Sequence, residues 1–302
     1  MSKISVCGLV NMETSASVDS FPLEYRPIDY RFFGVSSNPG GVGYNLALAF
    51  GTLSDEVKLF SFCGDDASGR LIKAELEGHG IDTSNILTEN KSTAQSVVLY
   101  DKEGRRSIIC DLTDNQDLHY PEDKFRKSAD NSDIICLCNI NFSESLFESA
   151  KATGALIASD VHCLSDINDG YNARFMSVAH ILFLSNESIL GKEVEFSKEI
   201  MEKYQNKIIV VGMGEKGALL RTSLDDVKVI PAVYTRPVVN TVGAGDSLFA
   251  AFLHFYAKTQ DAERSLRYAT YFASYKIGEN GASKGFLCEE ELMKIIEKAG
   301  AL

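Results

Sequence analysis

The chain has 302 residues, of which 45% are hydrophobic, and its formal net charge is −12. This composition predicts a folded protein with a large core, arranged as one α/β domain or as two smaller ones. The acidic balance excludes nucleic acid and anionic membrane surfaces as partners, because both need a basic face. An anionic small-molecule substrate stays open, since backbone dipoles can hold a phosphate group inside an acidic protein.

The cysteines and histidines bear on the redox compartment and on zinc. Seven cysteines are scattered without a Cys-x-x-Cys pair, and the five histidines show no ligand spacing with them. We therefore expect reduced thiols, a cytoplasmic protein and no zinc site. No apolar segment has the length of a membrane span. The apolar run at residues 4–10 ends at Asn11 and lacks a small-residue cleavage site, which predicts a first strand and not a signal peptide.

The first part of the chain mixes short strands with helices. After the strand at 4–10, residues 12–36 carry aromatic and short-strand patterns interrupted by two prolines. Further strands are predicted at 57–63, 96–100 and 106–111, and helices from residue 46 and over 66–78. Asp-Lys-Glu-Gly at 101–104 predicts a hairpin turn between the last two strands.

From about residue 130, short apolar runs alternate with helical stretches; the runs lie at 134–138, 155–159, 181–184 and 208–211. This alternation is typical of a parallel sheet with helices on both faces. Helices are predicted at about 245–258, 261–278 and 289–299. We expect an α/β fold, namely a doubly wound, mainly parallel sheet flanked by helices. It forms a single domain over 1–302, with a small β-sheet lid contributed by about 12–36 and 94–112.

The most informative stretch is residues 239–246, Val-Asn-Thr-Val-Gly-Ala-Gly-Asp, which leads directly into an apolar helix. Small residues at a helix start leave backbone N–H groups uncovered, and with the helix dipole they predict a phosphate site. Asp246 lies in the first turn, where a carboxylate beside a phosphate is electrostatically unfavourable. Two interpretations fit Asp246: a general base for an attacking hydroxyl, or a residue that caps the helix.

Four glycine-containing motifs follow one another, at residues 40–45, 62–69, 211–218 and 240–246. In order and spacing they resemble the ribokinase-like (PfkB) carbohydrate kinases, over nearly the whole chain. The resemblance implies a ribokinase-like fold and transfer of the ATP γ-phosphoryl group to a hydroxyl of a sugar or nucleoside. Open α/β sheets bind ligands at the carboxyl ends of their strands, which is where these loops fall.

The resemblance also implies roles for individual residues. Asp246 becomes the general base, and the N–H groups of Gly243, Ala244 and Gly245 form a cradle for the charge on the transferred group. The implied acceptor-binding residues are Glu13, Gly40, Gly41 and Asn45, and Asn139 is added as a candidate because it directly follows the predicted strand at 134–138. The glycines allow the lid to hinge and the backbone to approach the substrate. For Asn45 the alternative is a local helix-start contact, and for Glu13 a solvated strand end.

The nucleotide and its Mg²⁺ are assigned to a second set of residues by the same resemblance. Asn186, Gly214, Gly217 and Thr241 are expected to line the ATP site. For the two glycines a simple hairpin turn is an alternative that is compatible with nucleotide binding. No metal ligand is assigned, although Glu187 is a candidate for holding Mg²⁺ through water.

The chain departs from the family pattern at three positions. Glu13 stands where Asp is common and reaches about one methylene further into the pocket. Asn240 replaces the Asp that usually opens the last motif, near the monovalent-cation and nucleotide loop of some members, so activation by potassium is in doubt. The family's Asn-x-x-Glu reads Asn186-Glu187-Ser188-Ile189, and isoleucine cannot bind a metal.

The identity of the acceptor depends on the lid, which carries the aromatic residues Phe21, Tyr25, Tyr30, Phe32 and Phe33. If they face the pocket, they favour a nucleoside such as pseudouridine over a sugar, because aromatic rings stack on a base. Otherwise they form a lid core or a homodimer interface through the lid. A sugar phosphate requires a basic cluster, for which the candidates are Arg26, Arg31, Arg105 and Arg106.

Two other classes of function are considered. A non-catalytic sugar or nucleoside sensor on the same fold would explain the altered Asn-x-x-Glu, but it has no use for Asp246. A nicotinamide-dependent oxidoreductase requires Gly-x-Gly-x-x-Gly after the first strand, and residues 7–12 do not supply it. The chain also lacks the Gly-x₄-Gly-Lys-Ser/Thr of P-loop enzymes.

Overall fold

The computed structural model describes residues 1–103 and 105–300. Gly104, part of the predicted hairpin turn, lies outside the described residues. The strands β1 to β13 are Lys3–Cys7, Asn11–Ser17, Val35–Gly40, Glu56–Gly64, Ile86–Asn90, Gln95–Tyr100, Arg106–Asp111, Ile134–Leu137, Leu156–Cys163, Ile181–Ser185, Ile208–Gly212, Ala218–Arg221 and Val227–Ile230. The helices α1 to α9 are Val42–Thr52, Ala67–Gly78, Glu122–Ala129, Phe147–Thr153, Asn172–Val178, Glu193–Tyr204, Ala244–Thr259, Ala262–Lys276 and Glu289–Lys298.

The larger sheet has nine strands in the order β13-β12-β11-β10-β9-β8-β1-β4-β5. It is parallel from β11 to β5, and β12 and β13 join antiparallel at one edge. Successive buried residues along a strand face opposite sides of the sheet and pack under helices on both faces, which explains the continuous apolar runs. The carboxyl ends of the parallel strands therefore meet along one edge of this sheet.

The first strand is shorter than the predicted 4–10 and ends at Cys7. A β-carbon on the next residue, Gly8, would lie 2.9 Å from the Cα atom of Gly43 at the start of α1. The chain therefore leaves the sheet where α1 crosses it, and Asn11 begins a strand of the second sheet. Close packing between two glycines sets this boundary.

The second sheet has four strands in the order β3-β2-β6-β7. The predicted lid segments 12–36 and 94–112 contain nearly all of β2, all of β6 and β7, and only the start of β3, which continues to Gly40. Residues 18–34 form a loop without strand structure, where Pro22 and Pro27 lack the N–H groups that a sheet needs. Of the loop's aromatic residues, Tyr25, Tyr30, Phe32 and Phe33 are exposed.

Helix α7 carries the last glycine motif to the edge of the large sheet. Its residues Phe249 and Phe252 pack against Phe183 of β10, with ring centroids 4.8 and 5.2 Å apart. Deeper in the core, the ring Nδ1 of His254 lies 2.6 Å from an Asp55 carboxylate oxygen, and both side chains are fully buried. These contacts fix the N-terminus of α7 beside the strand ends.

The remaining fold features concern thiols and membrane helices. All seven cysteines are free thiols, in agreement with the expectation from their spacing. In residues 1–103 and 105–300, no helix combines the length and the hydropathy needed to cross a membrane.

Candidate active site

The centre of the candidate site is the carboxylate of Asp246, in the first turn of α7. Its Oδ2 atom accepts a hydrogen bond from Asn45 Nδ2 at 2.7 Å. Asn45 is buried in α1, which begins directly after the first glycine motif. Gly243, and not Asp246, is the N-cap residue of α7, so the capping interpretation does not account for the aspartate.

The surroundings of Asp246 raise its pKa above that of an ordinary aspartate. Burial is the main cause, and the nearby Asp160 carboxylate adds to it. The hydrogen bond from Asn45 is the chief opposing effect, followed by the charges of His162 and Lys276. A carboxylate that is partly desolvated and held by one amide is suited to accept a proton.

The loop before α7 presents backbone N–H groups to the same space. Gly243 adopts a positive φ of 77°, and a β-carbon there would lie 2.4 Å from the Ala282 carbonyl oxygen. The Ala244 N–H donates to the Thr241 carbonyl at 3.1 Å, which closes the turn. Among the described residues, no acceptor meets the N–H groups of Gly243 and Gly245. Of the three predicted donors, those of Gly243 and Gly245 are therefore free, whereas the N–H of Ala244 is used inside the turn.

The side chain of Asn240 holds this loop in place. Its Oδ1 atom accepts from the Val242 N–H at 2.8 Å, and its Nδ2 atom donates to Asn280 Oδ1 at 2.9 Å. The replacement of Asp by Asn thus leaves the loop braced by neutral hydrogen bonds.

Glu13 approaches the site from lid strand β2. It is half-buried, and its pKa is raised first by burial and then by the charge of Asp246, while Lys276 and Arg106 oppose this rise. Its carboxylate lies within electrostatic range of Asp246, and its partial burial sets it apart from a fully solvated strand end. The structure therefore joins the lid to the N-terminus of α7.

Gly40 and Gly41 allow the lid strands to pass close to one another. A β-carbon on Gly40 would lie 3.3 Å from the Glu13 β-carbon. Gly41 has a φ of 93°, and its β-carbon would lie 2.5 Å from the Leu9 carbonyl oxygen. Gly41 therefore needs glycine, because of its φ and the nearby backbone, whereas a side chain at Gly40 would be a tight fit against Glu13.

In the described part of the chain, two buried amide oxygens in this region have no hydrogen-bond partner. They are Oδ1 of Asn45 and Oδ1 of Asn11, whose Nδ2 atom donates to Ser96 Oγ. Buried polar atoms are normally paired, so a free acceptor on the residue that binds Asp246, and another beside Gly40, indicate places for ligand hydroxyls. Asn45 is one of the predicted acceptor-binding residues, whereas Asn11 is not.

Asn139 is hydrogen-bonded to residues at the start of α5. Its Nδ2 atom donates to Asn172 Oδ1 at 3.1 Å, and its carbonyl accepts from Tyr171 at 2.9 Å. The side-chain donor is therefore used to brace the segment that begins α5. Its neighbour Cys138 is the residue of this strand end that lies near Asp246.

Asn186 lies just beyond β10, and its N–H donates to the Gly212 carbonyl of β11 at 2.9 Å. Its side chain donates to Glu193 Oε1 at 2.8 Å, and this bond is the main reason that the pKa of Glu193 is lowered. Ile189, at the position of the family glutamate, is buried in the core. Glu193, seven residues after Asn186, thus supplies a carboxylate that sequence spacing did not identify.

Glu187 is exposed and contacts the lid. Its carboxylate lies 3.6 Å from the Arg106 guanidinium and accepts from the Cys163 thiol at 3.5 Å. Within residues 1–103 and 105–300, no three His, Cys, Asp or Glu side chains are grouped to hold a metal ion. The residues present fit Mg²⁺ only as contacts through water, with the nucleotide as its principal ligand.

The third motif forms a tight turn between β11 and β12. Gly214 and Gly217 have φ values of 57° and 94°, and a β-carbon on Gly217 would lie 2.0 Å from the Ile230 carbonyl oxygen. The hairpin interpretation is therefore right, and it leaves a nucleotide role open because the turn follows the carboxyl end of β11. Thr241 is exposed at the mouth of the α7 loop.

A family model of pfkB family carbohydrate kinases matches residues 1–287. The chain belongs to this family. The resemblance inferred from the four glycine motifs is confirmed, and so is the prediction of a phosphotransferase. The sensor and oxidoreductase alternatives have no comparable support.

Individual relatives of this pfkB kinase are distant but cover almost all of it. The ATP-dependent ribose-1-phosphate kinase of Halopiger xanaduensis is 24% identical over 290 residues, covering 93% of this chain and 94% of that protein. The ribokinase of Lactococcus lactis is 27% identical over 297 residues, covering 94% of each chain.

The structure of Arabidopsis thaliana ribokinase complexed with ribose and ATP has a TM-score of 0.81 to this kinase. The two are 21% identical, with 98% of this chain and 99% of that chain covered. The predicted ribokinase-like α/β fold, with its mainly parallel sheet and a small separate lid sheet, is confirmed.

Proposed function

We propose that this kinase transfers the γ-phosphoryl group of Mg-ATP to a hydroxyl of a sugar, with Asp246 as the general base. The observation that carries the proposal is the position of Asp246. Its partly desolvated carboxylate is held by Asn45 and adjoins a loop with free N–H groups. This combination provides both a proton acceptor and donors for the charge on the transferred group.

The roles of the residues follow from this geometry. The acceptor hydroxyl donates its proton to Asp246 as its oxygen attacks the γ-phosphorus. The N–H groups of Gly243 and Gly245 bind the equatorial oxygens, on which negative charge accumulates. The buried oxygens of Asn11 and Asn45 accept hydrogen bonds from other hydroxyls of the sugar. Together these contacts orient one hydroxyl towards the phosphate.

The nucleotide lies along the strand ends, near Asn186, Thr241 and the turn that contains Gly214 and Gly217. Mg²⁺, when bound with ATP, neutralises phosphate charge during the transfer. Asn186, Glu187 and Glu193 are the residues that would hold it through water. Gly40 and Gly41 form the close approach of the lid to the acceptor, beside Glu13. Residues 1–302 act as one kinase domain.

Two observations favour a free sugar as the acceptor over a nucleoside or a sugar phosphate. The lid aromatics Tyr30, Phe32 and Phe33 are exposed, so they are not arranged as a base-stacking surface. Three of the four lid arginines form ion pairs with lid carboxylates, namely Arg26, Arg31 and Arg105. Arg106 is the one that reaches a residue of the candidate site, Glu187.

The proposal is tested by ADP release from Mg-ATP over a panel of free pentoses and hexoses, pentose 1- and 5-phosphates, and nucleosides. We expect turnover with a free sugar, and weak or no turnover with nucleosides. A preference for a sugar phosphate would identify Arg106 as a phosphate ligand, and the Arg106→Met variant would then lose that preference. No turnover on any acceptor, with binding of a non-hydrolysable ATP analogue intact, would contradict the proposed function.

We also propose that the lid forms a homodimer. Phe32 and Phe33 in the 18–34 loop and Ile108 and Ile109 on the edge strand β7 are exposed, and large exposed apolar side chains are candidates for an interface. Light scattering after size exclusion should give a dimer for the wild type and a monomer for a Phe32→Ser, Phe33→Ser variant. Tyr234→Ser changes an exposed aromatic outside the lid and should remain dimeric. A monomeric wild type at micromolar concentration would refute the proposal.

A further inference from the structure

Lys276 is a fully buried lysine that the roles described so far do not use. It lies in the last turn of α8 and is 0% exposed. Its Nζ atom donates to the carbonyl of Val242, the residue directly before Gly243. The carboxylates of Asp246 on α7 and Glu13 on β2 are close enough to act on its charge. The ammonium therefore adjoins both the α7 loop and the two acidic groups of the site.

The position of this ammonium needs an explanation, because a buried charge is costly unless it is paired. A lysine in the last turn of a helix usually turns towards its own helix end, where the dipole favours it. Lys276 instead donates to a carbonyl of the loop before α7. Its hydrogen-bond acceptor thus belongs to the loop that presents the N–H groups, and the Asp246 and Glu13 carboxylates act on its charge from beyond ion-pair distance.

We propose that Lys276 is a positioning residue that serves as a built-in monovalent cation for the α7 loop. This inference rests on the proposed function of Asp246 and the loop. The ammonium orients the Val242 carbonyl, and thereby points the following N–H groups of Gly243 and Gly245 outward. It also balances the charges of Asp246 and Glu13, which would otherwise repel a phosphate.

This arrangement makes a free monovalent cation unnecessary at the loop. Asn240 offers no carboxylate to attract one, since its amide is bonded to Val242 and Asn280. The pKa of Lys276 is lowered to about 8, mainly by burial, while Asp246 and Glu13 partly oppose this. As pH rises through that value, Lys276 loses its charge and the loop loses its cation. Turnover should therefore decline on the alkaline side, and Lys276→Arg should move this decline to higher pH.

The test compares the wild type with Lys276→Ala and Lys276→Met, and the acceptor is the best compound of the panel. Turnover is measured in choline chloride, potassium chloride or propylammonium chloride at equal ionic strength. Wild-type turnover should be the same in all three salts. Lys276→Ala should lose about 100-fold in kcat, as loss of an oxyanion donor does, with a smaller change in acceptor KM. Propylammonium should restore part of that kcat in a saturable manner, because it fits the space left by the side chain. Lys276→Met fills this space without a charge and should not respond.

Two further measurements separate the possible failures. Arg236 is another cation beside the end of α8, because its Nε atom donates to the Tyr275 carbonyl at 2.6 Å. The turnover of Arg236→Ala should not respond to propylammonium. Affinity for a non-hydrolysable ATP analogue is measured in the same salts and tests Lys276 even if no acceptor is turned over. Activation of the wild type by potassium, or a folded Lys276→Ala that is fully active or insensitive to the amine, would overturn the proposal. If Lys276→Ala does not fold, the wild-type salt dependence decides.

Discussion

Asp246→Asn is expected to lower kcat by about 10³- to 10⁴-fold, the effect of removing a general base. Asparagine has nearly the same shape, and its carbonyl oxygen can still accept the bond from Asn45 Nδ2, so the fold should be preserved. The affinity for a non-hydrolysable ATP analogue should change little, because loss of the negative charge does not weaken phosphate binding. Steady-state kinetics and calorimetric titration measure the two quantities.

The pH profile provides an independent check on the same residue. Because burial raises the pKa of Asp246, the carboxylate is protonated as pH falls through that raised value. Wild-type turnover should therefore decline on the acid side at higher pH than for an exposed aspartate, and the residual turnover of Asp246→Asn should lack this limb. Glu13 also has a raised pKa, so the limb must persist in Glu13→Gln if Asp246 causes it.

Asp160→Asn is the matched control for charge alone. Asp160 acts on Asp246 through its charge, and its own carboxylate accepts from the His162 N–H at 2.8 Å. Its replacement should lower the pKa of Asp246 and shift the acid limb to lower pH with most of the turnover retained. A parallel loss of turnover, nucleotide affinity and thermal stability in Asp246→Asn would instead make Asp246 a structural residue.

Gly243→Ala is expected to lower kcat by about 10²- to 10³-fold, comparable to the loss of an oxyanion donor. The new β-carbon would lie 2.4 Å from the Ala282 carbonyl oxygen, so the loop must move away from the segment after α8. This movement turns the N–H groups of Gly243 and Gly245 away from the transferred group. Acceptor KM should change less than kcat, because the acceptor contacts lie on α1 and the lid.

Gly154→Ala separates the clash from the backbone conformation. Gly154, at the end of α4, has a φ of 74°, close to the 77° of Gly243, but nothing lies within 4 Å of its β-carbon position. Gly154→Ala should lose about 1–2 kcal/mol of unfolding free energy for alanine in the left-handed region, and Gly243→Ala should lose this and more, because the clash adds to it. Only Gly243→Ala should lose turnover. An active Gly243→Ala would show that the loop does not act through its backbone.

Local patterns in the sequence were sufficient for most of the architecture. The apolar runs predicted four strands of the parallel sheet, and one of them, at 208–211, is Ile208–Gly212 in the structure. The 3.6-residue periodicity placed the C-terminal helices within a few residues of their observed ends. Such elements are recognisable because their residues are neighbours along the chain. The loop at 18–34 carries the aromatic pattern of a strand region, but Pro22 and Pro27 lack the N–H groups needed for pairing.

The sequence by itself determined the family, the fold class and the loop around Asp246, since each depends on short motifs and on their order. Only the tertiary structure decided which side chains meet. It paired Asn45 with Asp246, placed Glu193 on Asn186, and directed Lys276 to Val242. A lysine near a helix end and a glutamate near a helix start are common features with no pattern that marks them. Their significance arises from burial and from partners distant in sequence, which are set when the sheet and helices pack.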